Sequence, residues 1–290
     1  MRSLLFVPAD SEKKLAKGFA SDADCLILDL EDSVAPETKR KARDQAHAFL
    51  ADTVPRTPRP RLYVRVNGLE SALTEADLAA VMRAPPDGIL LPKCLNGAAV
   101  QHLGAMLAVK EAEHNLANGV TRIIAIVTET PASIFKMGTY AGASQRLEGL
   151  TWGAEDLATC LGAETNKGAG GGYSFPYLLA RSLTLFAAAS AGALAIDAVH
   201  RKFRDLAGLR LECELAKRDG FTGKMAIHPA QIEIINEIFT PSHESIAKAR
   251  AIVAAFNAEP TAGVIGFEGE MLDLPNLTNA RRLLAGYRET

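Results

Sequence analysis

Ile123-Ile124-Ala125-Ile126-Val127-Thr128-Glu129 reads as a buried strand that ends on a charge. Leu150-Thr151-Trp152-Gly153-Ala154-Glu155-Asp156 repeats the pattern one element later. Apolar runs of this length, without polar alternation, belong to strands covered on both faces, as in a parallel sheet. A carboxylate at the end of such a run is costly to bury unless something there uses it. In barrels and open α/β sheets, ligands bind at the carboxyl ends of the strands. Magnesium takes one or two carboxylates and completes its shell with water and substrate. Glu129 and Asp156 are therefore candidate ligands of a metal that leaves room for a substrate.

Working outward, the same alternation runs along most of the chain. Further strand-like runs fall at residues 4–8, 25–30, 61–67, 88–93, 193–199 and 223–228, and helical patterns at 37–50, 74–82, 98–115 and 175–191. A proline precedes the first of these helices, and a Thr-x-x-Asp capping signal, Thr74 to Asp77, opens the second. Eight strands, each followed by a helix or loop, predict an α/β fold, a TIM (β/α)8 barrel, over residues 1–258. A doubly wound sheet would want a G-x-G-x-x-G turn after its first strand, and Pro8-Ala9-Asp10-Ser11 is not one. The glycine cluster Gly168-Ala169-Gly170-Gly171-Gly172 lacks the Lys-Ser/Thr of a phosphate cradle and reads as a mobile loop. Residues 259–290 read as a C-terminal extension with a short basic helix around 279–287.

Bulk properties narrow the function classes. The chain has 290 residues, 48% of them hydrophobic and 23% charged, which is an ordinary globular balance. A net charge of −2 points to neither nucleic acid nor an anionic membrane surface. No apolar stretch is long enough to span a membrane, and residues 1–8 are too short for a signal-peptide core. Cys25, Cys94, Cys160 and Cys213 are scattered without a C-x-x-C pair, so they read as reduced thiols of a cytoplasmic protein.

Placed on a barrel, the polar residues gather at one end. Strand two leads into Asp29-Leu30-Glu31-Asp32, strand three carries Arg65 and Asn67, and strand four ends Pro92-Lys93. Strands five and six deliver Glu129, Glu155 and Asp156, strand seven Asp197, and strand eight His228. The strand beginnings hold little that ionises, and barrel chemistry sits on the carboxyl-end loops.

The motifs also carry a resemblance. Arg2-Ser3-Leu4-Leu5-Phe6-Val7-Pro8, Leu28-Asp29-Leu30-Glu31-Asp32-Ser33-Val34 and Val64-Arg65-Val66-Asn67 resemble the citrate lyase β-subunit-like group of the HpcH/HpaI aldolase superfamily. So do Thr128-Glu129-Thr130, Trp152-Gly153-Ala154-Glu155-Asp156-Leu157, Ala195-Ile196-Asp197 and Gly223-Lys224-Met225-Ala226-Ile227-His228-Pro229. The resemblance implies a magnesium enzyme, with manganese as the alternative ion, that makes or breaks a carbon–carbon bond beside a coenzyme A thioester. The expected reaction is cleavage of (3S)-citramalyl-CoA or malyl-CoA to acetyl-CoA and pyruvate or glyoxylate. Three rivals stay open: a malyl-CoA thioesterase, a citrate lyase β subunit releasing oxaloacetate, and a non-catalytic CoA-binding protein.

The resemblance further implies roles. Arg65 would stabilise the enolate, and Asp273, in Gly269-Glu270-Met271-Leu272-Asp273, would be the general acid/base, reaching into a neighbouring subunit of a homotrimer or homohexamer. Lys17 would meet CoA phosphates, whereas a solvated helix face explains Lys13 and Lys14 equally well. Lys93 is left between a CoA phosphate and the acidic turn. Gly153, Ala154 and Glu155 are candidate substrate contacts, with Glu155 also readable as a helix cap. Asp29, Glu31 and Asp32 would support Arg65 or metal-bound water, or merely cap a turn. His228 and Asp197 read as structural. Ala9 departs from the glycine usual after Val7-Pro8 in this group.

Overall fold

The strand-like runs become strands because both of their faces are covered. The structure, a computed structural model, describes residues 1–286. Its first compact unit is Met1–Phe239. There β1 (Ser3–Pro8), α1 (Glu12–Phe19), β2 (Cys25–Asp29), α2 (Lys39–Thr53), β3 (Arg61–Arg65), α3 (Thr74–Val81), β4 (Gly88–Leu91) and α4 (Gly97–Glu113) follow in order. The second half holds β5 (Arg122–Ile126), α5 (Pro131–Ile134), β6 (Leu147–Thr151), α6 (Ala154–Leu161), α7 (Phe175–Ala191), β7 (Leu194–Asp197), α8 (Leu206–Asp219), β8 (Gly223–Ala226) and α9 (Ile232–Phe239). Each strand pairs in parallel with the next, and β8 pairs back onto β1 to close the barrel. This is the TIM barrel the sequence predicts.

Alternation along β2 shows how the core divides. Cys25 and Ile27 face the barrel interior with Leu4, Tyr63, Leu90, Ile124 and Met225. Leu26 and Leu28 face the helices with Leu5, Val64, Leu91 and Ala125. Gly88 opens β4 because a side chain there would collide with the Tyr63 ring, 2.3 Å from an added Cβ.

One local reading is corrected. Leu73, not Thr74, is the N-cap residue of α3. The Thr74 hydroxyl instead donates to the carbonyls of Asn67 (3.0 Å) and Gly68 (2.7 Å). Asp77 accepts from Asn67 N (2.8 Å), Asn67 Nδ2 (2.6 Å) and Arg43 Nε (2.6 Å), so the pair serves the β3 loop rather than the helix start.

Away from the barrel mouth, Glu111 at the end of α4 accepts two charged bonds of 2.7 Å from Arg146 and the N–H groups of Gly119 and Thr121. Burial works against its ionisation, but these donors win and hold the carboxyl at about 2. A depressed acid stabilises the fold above its unfolded value near 4.5 and loses that contribution as pH falls toward 2. Glu111→Gln is expected to remove roughly 3 kcal/mol at neutral pH. Urea unfolding of both proteins at pH 7 and pH 3 checks this, because the gap must narrow at the lower pH.

The second compact unit is Thr240–Thr290, beginning earlier than the boundary expected after residue 258. It contains α10 (His243–Ala258), an antiparallel hairpin of β9 (Val264–Phe267) and β10 (Glu270–Asp273), and α11 (Leu274–Gly286). Ile252, Phe256, Ile265, Leu272 and Leu277 form its core. The hairpin turns at Glu268-Gly269, both with positive φ (48° and 84°). The basic helix expected around 279–287 starts at Leu274, and residue 287 lies outside the described residues.

Candidate active site

The loops after β5 and β6 are stitched together before any functional group is placed. The buried Thr128 hydroxyl accepts from Gly153 N (2.9 Å) and donates to Gly153 O (3.1 Å). This brings Glu129 and the start of α6 to one cavity of about 120 Å³, lined also by Arg65, Thr151, Asp156 and Tyr173. Gly153 sits tightly at the seam, where an added Cβ would lie 3.1 Å from Glu129 Cγ and press on that side chain.

Glu129 is buried, and Lys93 N donates to its Oε2. Lys93 reaches this position in a left-handed backbone conformation, φ 51°, uncommon for a residue with a side chain and frequent at functional sites. Burial, with the carboxylates of Glu31 and Asp156 nearby, pushes the Glu129 carboxyl up to about 8. Asp156, in the first turn of α6, is half-buried and takes no hydrogen bond or ion pair among the described residues. These two carboxylates could hold a divalent cation. Among the described residues no third His, Cys, Asp or Glu completes a ligand set, so the remaining positions would fall to water and substrate.

Arg65 ends β3 and faces the same cavity. Its Nε and Nη2 fork onto Asp29 at 2.7 and 2.6 Å, and Nη1 lies 2.9 Å from Glu31 Oε2. Phe6 lies against the guanidinium, 5.0 Å from Cζ to ring centroid. Burial would lift the Asp29 carboxyl, but Arg65 and the N–H groups of Ser33 and Glu31 hold it below its ordinary range. Glu31 is the opposite case, since burial raises it despite Arg65 and Lys93. Lys93 Nζ donates to Glu31 and lies 3.4 Å from Asp32. Lys39 props the turn from below, with bonds of 2.7 Å to the carbonyls of Leu30 and Glu31 and 3.0 Å to Asn67 Oδ1. The acidic turn, Arg65 and Lys93 are thus one unit.

The other candidates are distributed around this centre. Glu155 borders the cavity but is tied to Asn166 (2.8 Å) and Arg201 (2.6 Å). Gly153 and Ala154 open α6, whose N-terminus has no side-chain cap. Asp197 points to the helix layer, bonded to Trp152 Nε1 (2.8 Å), Lys224 Nζ (2.7 Å) and Arg181 Nε (3.2 Å). His228 stacks on Phe203 at 4.9 Å and caps the turn at Pro229–Gln231. Lys13, Lys14 and Lys17 are exposed on α1, Lys17 in its last turn. Asp273 ends β10 in the second unit, where it is exposed and accepts from Asn276 N at 3.4 Å. The glycine cluster forms a closed turn between the bridged residues Lys167 and Tyr173, and Tyr173 meets Trp152 edge-on at 4.9 Å. Phe6, Thr151 and Tyr173 are cavity residues that the sequence reading missed.

A family model described as HpcH/HpaI aldolase/citrate lyase matches residues 2–229. The chain belongs to this family. Among solved structures of the family, protein CitE from Mycobacterium tuberculosis in complex with magnesium, acetoacetate and coenzyme A superposes with a TM-score of 0.77 at 36% identity, covering 98% of this chain and 97% of that one. The mitochondrial citramalyl-CoA lyase of Rattus norvegicus is 33% identical over 98% of this chain and 85% of its own length. A (3S)-malyl-CoA thioesterase of Cereibacter sphaeroides is 34% identical over 98% and 93%. The chain is accordingly an enzyme of a lyase family, and among the described residues no helix is long and apolar enough to cross a membrane.

Proposed function

We propose that this enzyme is a magnesium-dependent carbon–carbon lyase that cleaves (3S)-citramalyl-CoA or malyl-CoA to acetyl-CoA and pyruvate or glyoxylate. The observation that carries this reading is the single cavity in which Glu129 and Asp156 face the clamped guanidinium of Arg65. Bound at the two carboxylates, magnesium, or manganese in its place, would supply Lewis-acid polarisation of the oxo-acid half. Arg65 meets the thioester oxygen, where negative charge grows as the bond breaks, and a fixed donor there contributes about 3 kcal/mol. Asp29 and Glu31 hold that guanidinium in place beforehand, with Lys93 bracing Glu31 and Asp32 holding Lys93. The N–H groups of Ala154 and Glu155, at the start of α6 where no side chain caps the helix, receive the substrate carboxylate, with Gly153 packed beside them and its own N–H given to Thr128. Lys17 contacts the CoA phosphates, with Lys93 as a second candidate, and Asp273 of a neighbouring subunit carries the proton to and from the acetyl carbon.

Assembly as a homotrimer or homohexamer is part of the proposal. The outer face of α7 exposes Phe175 (74%), Leu178 (45%), Leu179 (43%) and Phe186 (65%), an apolar stripe of the kind that subunit contacts cover. Free thiols at all four cysteines suit the cytoplasm.

The test is a paired assay on malyl-CoA and citramalyl-CoA, with magnesium and with EDTA. Oxo acid released without free thiol, and lost in EDTA, is the expected result. Thiol without oxo acid would establish the thioesterase reading, which the relative of that name supports. Silence in both channels would favour the citrate lyase subunit.

A further inference from the structure

Thr151 closes β6 with its side chain on the inner face of the barrel. Its register partners are Ile126 on β5 and Ile196 on β7, both packed in the barrel interior. Gly149, two residues back, faces the same interior, where an added Cβ would meet Ile196 and Ile124. Thr151 is 1% exposed, its Oγ1 has no hydrogen-bond partner among the described residues, and it opens on the cavity shared by Glu129 and Asp156. Valine has the same shape without the polar atom, so packing alone does not explain a hydroxyl there. Apart from Arg65, the strand-borne residues that share this cavity, Phe6, Ile126 and Met225, offer no polar side chain. A lone hydroxyl in such a layer is a group waiting for a ligand oxygen.

We propose that Thr151 reads the oxo-acid half of the substrate. Its hydroxyl donates to an oxygen of that half, and the apolar floor around it accepts hydrogen or methyl as the third substituent rather than a carboxymethyl group. The proposal rests on the lyase reading above. Charge supports the second clause. Among the described residues the one cation lining the cavity is Arg65, already tied to Asp29 and Glu31, while Glu129, Glu155 and Asp156 bring only carboxyl groups. A second carboxylate, as in oxaloacetate, would lie among them unpaired. Pyruvate and glyoxylate bring none.

The experiment is calorimetric binding of pyruvate, glyoxylate and oxaloacetate, with magnesium chloride present, to wild type, Thr151→Val and Thr151→Ser. The wild type should bind pyruvate or glyoxylate about tenfold or more tightly than oxaloacetate. On the preferred acid, T151V should weaken binding about tenfold and T151S about twofold at most. Unfolding temperatures of the three proteins should agree, because the hydroxyl holds no protein partner. Equal binding by wild type and T151V, while wild type still releases oxo acid from its thioester, overturns the role of Thr151 and leaves the lyase reading standing. Tighter binding of oxaloacetate overturns the selectivity. A wild type that binds none of the three acids and cleaves neither thioester overturns both readings.

Discussion

Glu129→Gln is expected to lower kcat in magnesium by about three orders of magnitude or more while leaving the unfolding temperature of the metal-free protein within a few degrees. The two halves of this expectation have different origins. Activity falls because one of the two carboxylates proposed to hold the metal is gone. Stability holds because burial, with Glu31 and Asp156 nearby, already pushes the Glu129 carboxyl up to about 8. At neutral pH without metal it is mostly a neutral acid, which glutamine matches in volume, and the amide oxygen can still accept from Lys93 N. Asp156→Asn should behave alike, since no ion pair depends on Asp156 among the described residues. A second readout is independent of turnover. Ligand at a hundred times its dissociation constant stabilises the native state by about 2.7 kcal/mol, a shift of several degrees for a chain of this size. Magnesium should raise the unfolding temperature of the wild type in this way and of neither variant. Wild-type kcat in E129Q would falsify the metal assignment.

What could be read from the sequence, and what could not, divides along physical lines. The barrel was legible because strands buried on both faces are written as unbroken Val/Ile/Leu runs, and Cys25–Asp29 shows both faces filled. The site's location was legible because ionisable residues at the ends of such runs stand out against their neighbours. The wiring among them was not. Asp29 and Glu31 could equally cap a turn until the fork of Arg65 onto Asp29 is seen, and Lys39, which props that turn, lies in an unremarkable helical stretch. Thr151 escaped notice because a threonine near the end of a strand has ordinary β propensity. Only register, which sets it between Ile126 and Ile196, makes its hydroxyl anomalous. The hairpin of Val264–Phe267 and Glu270–Asp273 was missed for a related reason: four-residue strands carry too little periodicity to separate from loop.

Arg65 offers the second large effect, and it separates positioning from mere charge. Arg65→Lys keeps a cation beside Asp29 and Glu31, so the fold should survive with a modest loss of stability. The lysine cannot reproduce the two bonds of 2.7 and 2.6 Å to Asp29 while also presenting a donor to the cavity, because a single ammonium replaces a planar fork. The charge on the thioester oxygen appears only as the carbon–carbon bond breaks. Losing its donor should therefore lower kcat about a hundredfold with little change in KM. Arg65→Gln adds a structural penalty of about 3–5 kcal/mol, since Asp29 and Glu31 are then buried without their partner. Steady-state kinetics of R65K beside the unfolding temperature of R65Q separates the alternatives. If R65Q is destabilised but R65K turns over like wild type, Arg65 is a strut for the acidic turn. If R65K folds well and turns over slowly at unchanged KM, the guanidinium acts on the transition state, and Asp29 and Glu31 serve to aim it.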